Sequence, residues 1–140
     1  MAEKIWRLIQ GGASAGAGLL TYMYGDLNGL LIALFVVIVL DYLTGVVKAG
    51  ITKELSSEIG FKGILKKVLI LFIVALAHII DNVVGSGETW RNIAIVFYIS
   101  NEGLSILENC VDCGLPVPKK VKVMLKNIKK GEDNDGKDSF

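Results

Sequence analysis

Several ionisable and amide side chains lie within apolar stretches of the sequence. Asp41 interrupts the run VIVLDYLTG, and His78 and Asp81 lie three residues apart in ALAHIIDNVV. A charged side chain at the centre of a bilayer costs about 2.5–3.5 kcal/mol on insertion scales, so such groups face protein or water. His78 and Asp81 share one helical face and could bond directly. Arg91 is a second possible partner for Asp81, because both are expected near the outer side of the membrane.

Residues 91–110 carry the most extensive polar pattern. Six polar side chains recur at helical spacing along one face: Tyr98, Asn101, Glu102, Ser105, Glu108 and Asn109. The opposite face consists of Ile93, Val96, Ile99, Gly103 and Ile106. This spacing predicts a transmembrane helix with one polar side. Such a side either lines water in an assembled pore or forms the hydrogen bonds that hold a helical bundle together.

Asp41 and Glu102 are expected at nearly the same depth in the membrane. The lysines are expected at the inner edge, within reach of Glu108 but not of Glu102. Burial disfavours the charged form of an unpaired carboxylate. We therefore expect Asp41 to be neutral or hydrogen-bonded inside the bundle, with Asn101 or Tyr98 as its partner.

The elements that position these groups are long apolar stretches. Hydrophobic residues make up 52% of the 140-residue chain, mean hydropathy is +0.54, and the 21% of charged residues are segregated from the apolar runs. A bilayer core of about 30 Å requires about 20 helical residues. Residues 29–47, 64–84 and 91–110 meet this length. Residues 8–25 are uncharged but rich in Gly, Ala and Ser, so they form either a further span or an interfacial segment.

These stretches predict an all-α integral membrane protein whose transmembrane domain covers residues 1–115. It has four transmembrane helices, or three if residues 8–25 do not span. Gly12 and Gly16 form a small-xxx-small pattern that permits close helix contact and self-association into a homo-oligomer. Thr44 continues the face of Asp41, and Gly45 allows a neighbouring helix to approach.

The basic residues are distributed asymmetrically. Four spans place every lysine and arginine except Arg91 on one side, whereas three spans move Lys4 and Arg7 to the other. Positive charge marks the cytoplasmic side of a membrane. We therefore expect a multi-pass membrane protein with both termini in the cytoplasm.

The C-terminal region divides into two parts. Residues 116–130 place Val121, Met124, Leu125 and Ile128 on one helical face, surrounded by Lys119, Lys120, Lys122, Lys126, Lys129 and Lys130. This pattern predicts a cytoplasmic amphipathic helix that binds anionic membrane lipids. The alternative is a solvated basic tail. Residues 131–140 are acidic and polar, which predicts disorder.

The sequence contains no pattern that indicates an enzyme. Cys110 and Cys113 form one C-x-x-C pair, but structural zinc needs four ligands and the single histidine is distant in the sequence. Two reduced thiols are the expected state. The lysine clusters lack interleaved aromatic residues, which argues against nucleic-acid binding. We expect no catalytic residues, metal or cofactor.

The chain resembles the toxin-secretion and phage-lysis holin family over about residues 25–130. The matching motifs are Asp41-Tyr-Leu-Thr-Gly45, Leu55-Ser-Ser57, Gly60-Phe-Lys-Gly63, Lys66-Lys67, His78 with Asp81, FYISNEGLSILEN at residues 97–109, and Gly114-Leu-Pro-Val-Pro118. The resemblance implies a small phage-encoded protein that accumulates in the host inner membrane and opens lesions. A muralytic endolysin then reaches the cell wall, or a protein toxin leaves the cell, without a cofactor and without a required direct contact.

Two other functions remain compatible with the residues. One is a small oligomeric ion channel or proton-coupled transporter that uses Asp41 or Glu102. The other is a membrane adaptor whose tail recruits a cytoplasmic partner. A four-helix unit is too small to enclose a passage for proteins, so the holin function requires many copies.

Overall fold

The part of the chain that the structure describes contains four long helices connected by short segments. The computed structural model describes residues 1–121, 123, 124 and 127, and no strand occurs among them. The helices are α1 (Ala2–Tyr24), α2 (Gly29–Ile51), α3 (Ser57–Val84) and α4 (Thr89–Asp112). The prediction of an all-α protein is confirmed. Each helix extends beyond the apolar stretch that indicated it; α3, for example, begins at Ser57 rather than at residue 64.

The connections define two ends of the molecule. Residues 25–28 and 85–88 form what we call the turn end. There the side chain of Asn28 accepts a hydrogen bond from the Leu31 amide (3.0 Å) and caps α2, and Gly85 ends α3 in the left-handed conformation (φ 74°). Residues 52–56 and 113–118 form the opposite, loop end. Because α2, α3 and α4 alternate in direction, each connects the two ends.

An apolar core holds these three helices together. It consists of Leu31, Leu34, Ile38, Ile70, Val74, Ala75 and Ile95, with Tyr24 from the end of α1. The members from α2 and α4 come from the halves of those helices nearer the turn end. The halves nearer the loop end therefore pack through other groups, which are mainly polar.

Helix α1 packs differently from the others. Every residue from Met1 to Tyr22 is exposed, and only Met23 and Tyr24 contact the core. A Cβ atom added at Gly12 or Gly16 would meet nothing within 4 Å. Among the described residues, no other helix lies beside these glycines, and the helix contact expected of them stays a prediction.

The surfaces of α2 and α3 are apolar and face outward. In the part of the chain that the structure describes, these two helices are long and apolar enough to cross a membrane. Only 22% of the apolar stretch of α2 and 17% of that of α3 is buried within the chain. A core helix of a water-soluble protein would be mostly buried, so this exposure favours contact with lipid.

The predicted amphipathic helix is only partly visible. Lys119 and Lys120 are exposed at the start of a helical turn, in which the Val121 amide donates to Pro118 O (2.9 Å). Residues 122, 125, 126 and 128–140 lie outside the described residues. They include Lys122, Lys126, Lys129, Lys130 and the acidic tail.

Candidate functional site

One ion cluster joins α2, α3 and α4 in the interior of the bundle. The ammonium group of Lys67 donates hydrogen bonds to Asp41 Oδ2 and Glu102 Oε2. Asp41 and Glu102 are each 7% exposed. All three residues lie ten positions from the loop end of their helices, or about 15 Å at 1.5 Å per residue. We call them the central ion cluster.

The central ion cluster contradicts two expectations from the sequence. The prediction that no lysine reaches Glu102 was wrong, because α3 continues without interruption from Ser57 and carries Lys67 nearly three turns into the bundle. Asp41 is hydrogen-bonded inside the bundle, as expected, but the prediction that its partner is Asn101 or Tyr98 was wrong. Its partners are Lys67 and the side-chain amide of Asn109 on α4.

The side-chain amide of Asn109 links α4 to α2. Its Nδ2 atom donates to Thr44 Oγ1 (3.1 Å) and to Asp41 Oδ1 (3.4 Å), and Thr44 Oγ1 donates to the Asp41 carbonyl (3.0 Å). A Cβ atom at Gly45 would lie 3.7 Å from Asn109 Nδ2, an ordinary van der Waals contact, so α4 approaches α2 closely at this glycine. The polar contacts of α2 and α4 therefore extend from the central ion cluster toward the loop end.

A cleft of 610 Å³ opens beside the central ion cluster and extends toward the loop end. Its α4 wall is polar and contains Tyr98, Asn101, Glu102, Ser105 and Asn109. Its α2 and α3 walls are mainly apolar and contain Val46, Ala49, Ile59, Gly60, Gly63 and Ile70, and Leu55 of the connecting loop adjoins them. The structure thus brings five of the six polar residues picked out on α4 to one surface. The sixth, Glu108, is half-buried and lies near enough to Lys48 to stabilise its charge.

The opposite face of α4 differs in its surroundings. Val96 and Ile93 are exposed, and Ile99 is partly buried against the apolar core. Helix α4 therefore has one side toward the cleft and another toward the outside of the bundle. This arrangement follows the helical spacing of its polar and apolar residues.

A second polar cluster lies at the turn end. Asp81, 1% exposed, accepts hydrogen bonds from Ser86 Oγ (2.6 Å), the Trp90 amide (3.0 Å) and the Arg91 amide (2.8 Å). A carboxylate from α3 therefore satisfies amides in the first turn of α4, where the helix dipole also favours negative charge. We call this group the Asp81 cap.

Arg91 and His78 surround the connection between α1 and α2. Arg91 is fully buried; its Nη2 atom donates to Asp26 O (2.8 Å) and its Nη1 atom lies 2.9 Å from Glu88 Oε1. The ring of His78 lies 3.2 Å, through Nε2, from Asn82 Nδ2. A Cβ atom at Gly25 would lie only 2.8 Å from His78 Cε1.

The predicted side-chain pairs of Asp81 with His78 and with Arg91 were therefore wrong. Ser86 and the first residues of α4 supply the donors to the Asp81 oxygens, and His78 pairs with Asn82. Arg91 does bond to Asp81, but through its backbone amide rather than through its guanidinium.

Lys67 is the member of the central ion cluster that the sequence reasoning missed, and a signal for it exists. Successive side chains on a helix point about 100° apart, so Lys66 and Lys67 cannot face the same direction. Gly60, Gly63, Lys67 and Ile70 recur at spacings of three and four residues and share one face. That face meets α2 and α4.

Comparison with known proteins gives a consistent set of relatives. Residues 18–130 match the model of the bacteriophage holin family. An uncharacterized 14.9 kDa protein of Clostridium perfringens is 45% identical over 128 residues, which cover 90% of this chain and 96% of the relative. An uncharacterized protein of Listeria monocytogenes is 44% identical over 84% of this chain and 85% of its own. A probable holin of Bacillus phage phi105 is 35% identical over 83% of this chain and 84% of its own. No solved structure matches the chain.

Proposed function

Because the chain belongs to the bacteriophage holin family, we propose that it accumulates in the cytoplasmic membrane of a bacterial host, self-associates and opens lesions. Through these lesions an endolysin reaches the cell wall or a protein toxin leaves the cell. The family match and the relationship to a probable phage holin support this proposal. The chain acts as a membrane protein without enzymatic chemistry of its own.

The observation that carries the proposal is the placement of the polar face of α4. In the single chain, Glu102 and Asn109 obtain their partners from Lys67, Asp41 and Thr44. The neighbouring Tyr98, Asn101 and Ser105 line the cleft. In an assembled lesion, water supplies these hydrogen bonds when α4 turns the same face toward a lumen. Three packed helices enclose no passage wide enough for a protein, so the lesion is built from many copies.

The proposed topology has four spans. The turn end faces the outside, and the loop end and both termini face the cytoplasm, where Lys119 and Lys120 contact anionic lipids. With Cys110 and Cys113 replaced by serine, a cysteine at Ser86 should react with an impermeant thiol reagent in intact cells. Cysteines at positions 3 and 137 should react only after the membrane is permeabilised. Labelling of position 3 from outside would replace four spans with three.

The lumen assignment is tested with the same reagent. Cysteines at Tyr98, Asn101 and Ser105 should be protected before lysis and react after its onset. These three positions line the cleft, and none belongs to the central ion cluster, so the substitutions leave its ion pairs in place. Cysteines at Val96, Ile99 and Ile106 are the matched controls and should remain unreactive throughout. Reaction of the control set, or protection of the cleft set in fully leaky cells, would contradict a lumen formed by this face.

The overall activity is tested by induced expression in a bacterial host. We expect growth to stop abruptly and a cytoplasmic marker enzyme to appear in the medium when an endolysin is co-expressed. A channel or transporter that used Asp41 or Glu102 would instead dissipate ion gradients without enzyme release. A membrane adaptor would cause neither effect.

A further inference from the structure

We propose that the cleft binds one anionic phospholipid, with an acyl chain between α2 and α3 and the phosphate beside the ammonium group of Lys66. This site is formed by α2, α3, α4 and the loop between α2 and α3, and it is a different proposal from the lipid contact of Lys119 and Lys120. It requires insertion of the chain into a membrane but does not depend on lesion formation.

The walls of the cleft suit an acyl chain. Val46 and Ala49 of α2 and Ile59 and Ile70 of α3 present aliphatic surface on two sides, and Leu55 continues it to the rim. The ring of Tyr42 crosses from α2 to α3, where Cβ atoms at Gly60 and Gly63 would lie 3.5 and 4.0 Å from it. These glycines keep the groove beside Tyr42 free of side chains. Water alone would leave this aliphatic surface hydrated within the bilayer, which is unfavourable.

Lys66 supplies a cation for the phosphate. Lys66 lines the cleft and is exposed, and it makes no ion pair or hydrogen bond with any described residue. The neighbouring lysines differ in this respect. Lys62 pairs with Glu58 (2.8 Å), Lys48 pairs with Asp112 (2.6 Å), and Lys67 belongs to the central ion cluster. The long aliphatic stem of Lys66 can lie along the apolar wall while its ammonium group extends to the headgroup region.

The unpaired charge of Lys66 and the apolar walls of the cleft together favour an anionic lipid over a zwitterionic one.

Fluorescence quenching by brominated lipids tests the site directly. Tyr42→Trp places a reporter in the cleft when Trp6 and Trp90, which do not line it, are replaced by phenylalanine. The full chain is reconstituted in phosphatidylcholine vesicles that contain equal mole fractions of brominated phosphatidylglycerol or brominated phosphatidylcholine. We expect the phosphatidylglycerol form to quench the reporter with a severalfold higher apparent binding constant.

Two substitutions assign that preference to the cleft. Lys66→Gln should reduce the preference to near one, whereas Lys62→Gln, on the same helix but paired with Glu58 and outside the cleft, should retain it. Ala49→Leu narrows the cleft and should weaken quenching by both lipids without changing the helical content measured by circular dichroism.

Three results would overturn the proposal. They are equal quenching by the two lipids, an equal loss of preference in Lys62→Gln and Lys66→Gln, and protection of the reporter from both lipids. The last result would mean that protein, such as the tail of this chain or a second copy, fills the cleft. Because the readout is independent of lysis, failure of the enzyme-release assay would leave this result intact.

Discussion

Replacement of Lys67 by methionine tests the central ion cluster. The change retains most of the side-chain volume but leaves Asp41 and Glu102 facing each other without a cation. The side chains are 17% exposed for Lys67, 10% for Asp41 and 9% for Glu102, so solvent screens them little. Removal of one partner from a buried ion pair costs about 3–5 kcal/mol. We therefore expect Lys67→Met to lower the free energy of unfolding by about that amount, roughly two to four powers of ten in the folding equilibrium.

The measurement is unfolding in mixed micelles, followed by circular dichroism as the fraction of denaturing detergent rises. Lys62→Met is the control, since its exposed pair with Glu58 four residues earlier contributes only about 0.3–0.5 kcal/mol. The triple variant Lys67→Met, Asp41→Asn, Glu102→Gln removes every charge of the cluster and should recover most of the loss. A cost below about 1 kcal/mol for Lys67→Met, or a triple variant no more stable than the single one, would refute the reasoning.

Two further predictions concern the turn end. Asp81→Ala removes the acceptor of the Ser86 hydroxyl and the Trp90 and Arg91 amides. In the same unfolding assay it should destabilise the chain by at least the roughly 0.5–2 kcal/mol typical of a lost helix cap. Asp81→Asn retains an acceptor and should destabilise the chain less, and equal losses for the two variants would contradict the capping role. Gly25→Ala should lower the free energy of unfolding more than Gly85→Ala, because the new Cβ at position 25 would lie 2.8 Å from His78 Cε1 whereas nothing lies within 4 Å at position 85. Gly85→Ala should lose only the roughly 1–2 kcal/mol of a left-handed backbone. A larger loss for Gly85→Ala would refute this order.

The sequence predicted those features that depend on helical periodicity. The spacing of Tyr98, Asn101, Glu102, Ser105 and Asn109 indicated one polar face on α4, and in the structure these residues line one cleft. Apolar stretches of sufficient length indicated helices near their observed positions. Both inferences rest on the repeat of a single helix and require no knowledge of how helices pack.

The partners of the buried charges could not be predicted in this way. Lys67 was grouped with the basic residues of the loop end by its position in the sequence, although α3 places it beside Asp41 and Glu102. Asp81 was matched with His78 by spacing, but in the structure it accepts hydrogen bonds from backbone amides that are free only because α4 begins there. Partner choice at these sites depends on the relative depth and rotation of different helices, which a one-dimensional pattern does not contain.

The two ends of the bundle differ in the groups that hold them together. Toward the turn end, the apolar core and the Asp81 cap join the helices through buried aliphatic surface and backbone amides. Toward the loop end, the central ion cluster and Asn109 join them through side chains beside an open cleft. Water can replace a hydrogen bond or ion pair between side chains at little net cost, but it cannot replace buried aliphatic surface. Separation of the helices therefore costs least at the loop end, where the polar face of α4 would meet water in an assembled lesion.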